Sequence, residues 1–205
     1  MPEGFHTCVV IKEDAIGIVS RTPHAVVAYP TDTVMGLGCS VYDGTAVQRL
    51  LDVKERPASK KGLPVLVSEI GAARRIAKMG GAAERLASRF WPGALTLVLP
   101  VLDTEISELV TSEGTVGIRV PDSDIARRVA SAFGGVVVGT SANRSGHAPV
   151  LSAEEAVNTL RGIDFAVESD AAMNGLSSTI FDVEKEEVLR EGAIPAALIR
   201  KALLG

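Results

Sequence analysis

Cysteine, histidine and aromatic residues are all scarce in these 205 residues. The two cysteines, Cys8 and Cys39, stand far apart and in no metal-ligand spacing. They read as reduced thiols in or near the core, as in a cytoplasmic protein. The three histidines, His6, His24 and His147, are scattered, and neither HExxH nor CxxC occurs. A structural zinc or iron site is therefore not expected. No apolar run approaches the ~18 residues that cross a bilayer. The opening "MPEGFHTCVVIKED" has no basic segment followed by a long apolar stretch, so no signal peptide is read there. The net charge is -4, and neither an aromatic platform nor a long basic stripe is visible. Both facts weigh against a whole-surface nucleic-acid binder and leave room for a local basic patch.

What is present is apolar material, 46% of the chain against 22% charged. That composition supports a real core rather than disorder. Apolar β-rich runs alternate with amphipathic segments. Strands are expected over Thr7 to Ile11, Ala25 to Tyr29, Leu63 to Val67, Ala94 to Val101, Thr115 to Val120 and Gly135 to Gly139. Two more follow in "STIFDV" and "EEVLRE", joined near Glu184 and Lys185. A helix capped by Asp43 should run through Ala46, Leu50 and Val53 and stop before Pro57. Further helices are read around Ile70 to Ala77 and Ala83 to Phe90, and after Asp122 with Ile125, Val129 and Phe133 as a stripe. Another follows the capping box Ser152 to Glu155, and "IPAALIRKALL" closes the chain. No repeat, low-complexity segment or linker interrupts this order. One α/β domain over residues 1–205 is expected, with a mixed sheet because the β-α-β rhythm fails at the end.

Five stretches hold groups suited to chemistry. "KERPASKKG" gathers Lys54, Arg56, Lys60 and Lys61 just past a helix end. One or two of these cations answer the helix dipole, but Lys60 and Lys61 lie beyond Pro57. Clustered cations are relieved by an anion, and phosphate is the natural guest; a solvated loop is the plain alternative. "YPTDTVMGLG" places Asp32 between Thr31 and Thr33 after a strand, either as an ordinary turn or as a binding loop. It lacks the third glycine of a dinucleotide fingerprint. "GTSANRSG" follows an apolar strand, where open α/β sheets place ligands; it has no P-loop lysine and also reads as a polar turn. In "TVGIRVP" alternation puts Thr115, Gly117 and Arg119 on one face. Arg119 is then either an edge charge or a fork for a carboxylate. In "LSSTIFDV" with "VLREG", a hairpin would bring Ser178 and Arg190 to one region. No nucleophile–base dyad and no paired carboxylates are evident. A site built this way works by positioning and charge stabilisation, as in nucleotidyl or phosphoryl transfer.

In this order, "YPTDTVMGLG", "KERP", "FWPGALTLVL", "VGIRVP", "TSANRSG", "SSTI" and "VLREG" closely resemble the YrdC-like domain of threonylcarbamoyl-adenylate synthases. The likeness runs from about Val26 to Gly192 and includes the paired signature KxR and SxN, here Lys54-Glu-Arg56 and Ser141-Ala-Asn143. The resemblance implies a twisted α/β sheet around an open cavity. It implies an enzyme joining L-threonine, bicarbonate and ATP into threonylcarbamoyl-adenylate with release of pyrophosphate. A separate tRNA threonylcarbamoyl transferase complex would then take the product. Lys54, Arg56 and Lys60 or Lys61 would face the nucleotide phosphates. Ser141 and Asn143 would hold the nucleotide with Thr115 nearby, and Arg190 would close over it. Arg119 would grip the threonine carboxylate, and Thr33 with Thr31 and Ser178 would complete that pocket. Magnesium would bridge the phosphates without an all-protein cage. Asp32 stands where the family usually has glutamate. Ser68 stands where a histidine often ends the next strand, so Ser68 is the residue expected to meet the threonine side chain. The resemblance is to the short form, so the extra C-terminal domain of longer members is not expected. Two alternatives remain: a non-catalytic module holding RNA weakly in the same cavity, and a paralogue with a changed substrate.

Overall fold

The computed structural model describes residues 8–204. The first expected strand begins outside that range at Thr7, as does His6; its described part is β1, Val9–Ile11. A 3₁₀ segment, Glu13–Arg21, follows and has no counterpart in the sequence reading. The order continues as β2 (Val27–Pro30), β3 (Met35–Gly38), α1 (Gly44–Val53), β4 (Val65–Val67), α2 (Ile70–Ile76) and α3 (Gly81–Phe90). Then come β5 (Leu95–Pro100), β6 (Thr115–Arg119), α4 (Asp124–Ala132), β7 (Val136–Val138) and β8 (Thr140–Ser141). The chain ends with α5 (Ala153–Thr159), β9 (Phe165–Val167), β10 (Thr179–Asp182), β11 (Glu187–Arg190) and α6 (Ala196–Leu204).

The helix starts follow capping chemistry. Asp43 accepts from the backbone N–H groups of Thr45 and Ala46, satisfying two orphan donors of α1. Ser123 caps α4 through Ala126, and Ser152 caps α5 through Glu155. Glu155 reaches back to the N–H of Leu151, one residue before the cap, so the reciprocal half of the capping box is displaced by one position. The stripe expected on α4 keeps Ile125 and Val129, while Phe133 falls past the last turn and is only partly buried.

The strands form two mixed sheets in place of the one expected. One has the order β1-β9-β2-β3-β8, the other β11-β10-β5-β6-β4-β7. Parallel pairs (β1 with β9, β10 with β5, β4 with β6) sit beside antiparallel ones (β2 with β3, β5 with β6, β4 with β7). The apolar run of β7 is explained by burial on both faces. Val136 and Val138 enter the larger core, and Val137 enters a second core under α4 with Val27, Tyr29, Leu66 and Val129.

The sheets meet where the chain leaves β7 and enters β8. Val138 donates to Cys39, and the Tyr29 hydroxyl donates to the carbonyl of Val138 at 3.2 Å. Gly139 makes the crossing possible: a Cβ there would sit 2.2 Å from Cγ of Leu66. No side chain fits between these strands, so the backbone itself becomes part of the wall of the cavity beside it.

Candidate active site

An open cavity of about 70 Å³ lies at this seam. Its walls come from both sheets: Thr31 and Thr33 after β2, Gly36 on β3, Leu66 on β4, Thr96 on β5 and Arg119 on β6. Gly139 to Ser141, then Ser177, Ser178 and Arg190, close it.

Arg119 is 4% exposed and held from three directions. Its Nε donates to the carbonyl of Gly93 at 2.8 Å, one terminal nitrogen to Thr33 Oγ1 at 3.0 Å, and the other to Asp32 Oδ1 at 2.5 Å. The alternation of β6 sets this direction, and the "WPG" turn supplies the carbonyl. Thr31 organises the loop before it. Its hydroxyl donates to the carbonyl of Val34 at 2.7 Å and accepts from the N–H groups of Thr33 and Val34. The Thr33 hydroxyl lies 2.9 Å from it.

Across the cavity, β10 and β11 form the expected hairpin. Arg190 donates to the carbonyl of Ser178 at 2.9 Å and to its hydroxyl at 3.3 Å. The Ser178 hydroxyl also pairs with Thr96 Oγ1 at 2.9 Å. Burial and then the charge of Arg119 push Arg190 below its ordinary pKa, so the two guanidiniums feel one another.

The signature cations divide. Glu55 has φ of 50°, the left-handed conformation that ends α1. The N–H of Arg56 reaches the carbonyl of Leu51, and that of Glu55 reaches Asp52, as in a Schellman motif. This twist sends the residues on either side of Glu55 to different places. Lys54, 3% exposed, turns into the "TSAN" loop and donates to Ser141 O at 2.5 Å, Asn143 O at 3.0 Å and Asn143 Oδ1 at 2.9 Å. The Ser141 hydroxyl donates to the same Asn143 Oδ1 at 2.6 Å. Arg56 instead folds its own loop by donating to the carbonyls of Lys60 at 2.8 Å and Lys61 at 3.3 Å. Lys60 and Lys61 are exposed.

Burial, followed by the nearby Arg56, lowers the pKa of Lys54 to about 8. Three acceptors match the three N–H groups of an ammonium, so the side chain is charged at neutral pH. It braces the loop from behind and does not line the cavity.

Of the residues singled out in the sequence, Thr31, Thr33, Arg119, Ser141, Ser178 and Arg190 share the cavity wall. Lys54 and Asn143 adjoin it through Ser141. Ser68 does not join them. Its N–H is bound to the carbonyl of Gly135, because β4 ends at Val67 and the chain turns away. Leu66, two residues earlier, faces the cavity instead. Thr115 lies at the far end of β6 from Arg119 and donates to the carbonyl of Ser112. Thr96 and the carbonyl of Gly93 were not anticipated. A lone threonine inside the apolar run "ALTLVLP" was the available signal for the first.

The sequence model of the Sua5_yciO_yrdC family, described as "Telomere recombination", matches residues 23–192. The chain belongs to the Sua5/YciO/YrdC family. The threonylcarbamoyl-AMP synthase of Sodalis glossinidius (strain morsitans) is 35% identical over 179 residues, 85% of this chain and 93% of that protein. The threonylcarbamoyl-AMP synthase of Pyrococcus abyssi (strain GE5 / Orsay) is 33% identical over 182 residues, 87% of this chain and 53% of that one. A crystal structure of P. abyssi Sua5 complexed with L-threonine superposes with a TM-score of 0.86 at 31% identity, covering 95% of this chain and 60% of that one. The chain thus spans little more than half of the archaeal protein. E. coli YciO, at 22% identity and a TM-score of 0.79, shares the fold. In this Sua5/YciO/YrdC member the cavity at the seam takes in residues from six of the seven ordered motifs, all but "KERP".

Proposed function

We propose that this chain is an L-threonylcarbamoyladenylate synthase, a nucleotidyltransferase, folded as a single YrdC-like domain over 1–205. The observation that carries this is the shared cavity. A buried arginine with spare donors stands in one wall, and the hydroxyl-amide turn braced by Lys54 stands in another. The two walls suit a carboxylate and a nucleotide in contact with each other. The names of the synthase relatives support the same reading.

Arg119 takes the threonine carboxylate in bidentate fashion. Thr33, ordered by Thr31, and Ser178, ordered by Thr96, surround the amino acid. Leu66, not Ser68, is the wall residue of β4 available to the threonine side chain. Ser141 and Asn143 hold the nucleotide, with Thr115 outside the immediate wall. Arg56, Lys60, Lys61 and Arg190 face its phosphates. The amine of threonine takes the carbon of bicarbonate, whose C–OH bond breaks; the departing hydroxide and a proton from the amine leave as water, giving a carbamate. A carbamate oxygen attacks the α-phosphorus of ATP, and the bond to pyrophosphate breaks with its electron pair. The cations stabilise the charge that develops on the leaving group. Magnesium, in this reading, would be held by the phosphate oxygens of ATP and would help neutralise the leaving pyrophosphate. The product passes to a tRNA threonylcarbamoyl transferase complex. No helix among the described residues is long and apolar enough to cross a membrane, and the cytoplasm is the compartment this reading implies.

The test supplies purified protein with ATP, magnesium, labelled bicarbonate and each amino acid in turn. Threonine-dependent pyrophosphate release with label entering an adenylate is expected. Release driven by another amino acid instead would indicate a changed substrate. RNA retention without any release would overturn the enzyme reading.

A further inference from the structure

The cavity holds two guanidiniums but only one of them has a carboxylate. Arg119 is paired with Asp32 Oδ1 at 2.5 Å, with the side chains 5% and 15% exposed. Arg190 has no acidic partner within salt-bridge distance among the described residues; its donors go to Ser178. Arg119 lines the cavity and Asp32 is not among its lining residues. Asp32 is also fixed in place. The N–H of Asn174 donates to the carbonyl of Asp32, and that of Gly175 to the carbonyl of Thr33. Arg119 has five N–H groups, and three are spent on Gly93, Thr33 and Asp32. One remains on each terminal nitrogen, the number a single carboxylate takes.

Two anions of unequal charge must choose between these arginines. A polyphosphate is drawn by net charge, whereas a carboxylate on a neutralised fork is held mainly by hydrogen-bond geometry. If Arg119 were unpaired, it and Arg190 would form a doubly positive trap spanning the whole hollow. Specificity between ligands often comes from such an element built against the wrong one.

We propose that Asp32 is a specificity-determining positioning residue: it cancels the charge of Arg119, so that polyphosphate is left to the Arg190 side and the fork stays free for the amino-acid carboxylate. This rests on the assignment of Arg119 to the carboxylate under the proposed function.

Inorganic pyrophosphate is the probe. In the native protein and in Asp32→Glu, pyrophosphate competes with ATP and, at saturating ATP, inhibits weakly with respect to threonine. In Asp32→Asn it becomes competitive with threonine, with an inhibition constant at least tenfold lower. Calorimetry on protein without other ligands shows the same gain in pyrophosphate affinity. A purely structural role would lower kcat and the melting temperature and leave the inhibition pattern alone; that pattern overturns the proposal. If Asp32→Asn does not fold, Arg190→Ala at the exposed strand end decides. It costs pyrophosphate at least tenfold in affinity when Arg119 is neutralised, and an unchanged affinity sinks the idea. The calorimetric arm is independent of turnover. Absence of threonine-dependent pyrophosphate release in the native protein would therefore count against the enzyme reading, and the titration would still judge Asp32.

Discussion

Lys54 brings a full charge into a place almost without water and hands all three of its protons to one loop. Burial lowers its pKa from 10.5 to about 8, with Arg56 adding to the effect. The consequences for stability and for binding have opposite signs. Between about pH 8 and 10.5 the unfolded chain keeps a proton that the folded chain has released, so unfolding free energy rises with pH across that window. Over the same window the folded protein loses the ammonium that braces Ser141 and Asn143. ATP affinity is therefore expected to fall as pH passes about 8, while resistance to urea from this group increases. Isothermal titration and urea melts at pH 7, 8, 9 and 10 measure both. Lys54→Met should remove the bend near pH 8 from the binding curve and weaken ATP at pH 7 on the order of tenfold or more, since a buried hydrogen-bonded cation is lost. A binding curve of the native protein that stays flat to pH 10 would contradict the role given to this lysine.

At the level of elements, the hairpin of β10 and β11 shows how closely one backbone must approach another. A Cβ on Gly192 would lie 2.1 Å from the carbonyl oxygen of Ser177 and 2.6 Å from the carbonyl carbon of Ser178. Neither is a side chain that can swing aside. Gly192→Ala should cost about 1–3 kcal/mol in stability. It should also displace Ser178, raising KM for threonine roughly tenfold with ATP less affected; kinetics with each substrate varied in turn separates these. The legibility of the elements follows the same local physics. The apolar run of β7 was readable because both of its faces are buried. In contrast, β3 was missed because "MGLG" after Pro30 carries turn residues, and its strand character comes from pairing with the adjacent Val27 to Pro30 on one side and the distant Thr140 to Ser141 on the other. The three residues of β9 depend on β1 and β2, more than a hundred positions away. Within the site, Arg119 could be aimed by alternation along β6. The inward turn of Lys54 could not, because it depends on Glu55 entering a conformation its sequence does not favour. Ser68 was misplaced for a similar reason: it shares parity with Leu66, but the strand stops one residue too soon.

For the molecule as a whole, the cavity is a joint between two sheets, and its two ends sit in different electrostatic settings. Ligands that bind only the folded state stabilise it by mass action, about 2.7 kcal/mol at a concentration ~100 times Kd. For a chain of this length each kcal/mol moves the melting temperature by about 2–4 °C. Saturating ATP or threonine should therefore each raise it by roughly 5–10 °C. Salt should then tell the ends apart. Lys60 and Lys61, which the proposed function sets against the phosphates, are exposed, and exposed charges are screened over about 8 Å at physiological ionic strength. Arg119 is buried and already neutralised by Asp32, so its hold on a carboxylate rests on hydrogen bonds that ions do not screen. Between 50 mM and 500 mM potassium chloride the shift given by ATP should shrink by half or more, and the shift given by threonine should change little. Thermal melts of the protein with each ligand alone, at both salt concentrations, make the comparison directly. Equal salt sensitivity for the two ligands would mean that the carboxylate is not held in the buried fork, and that one diffuse positive field governs the entire cavity.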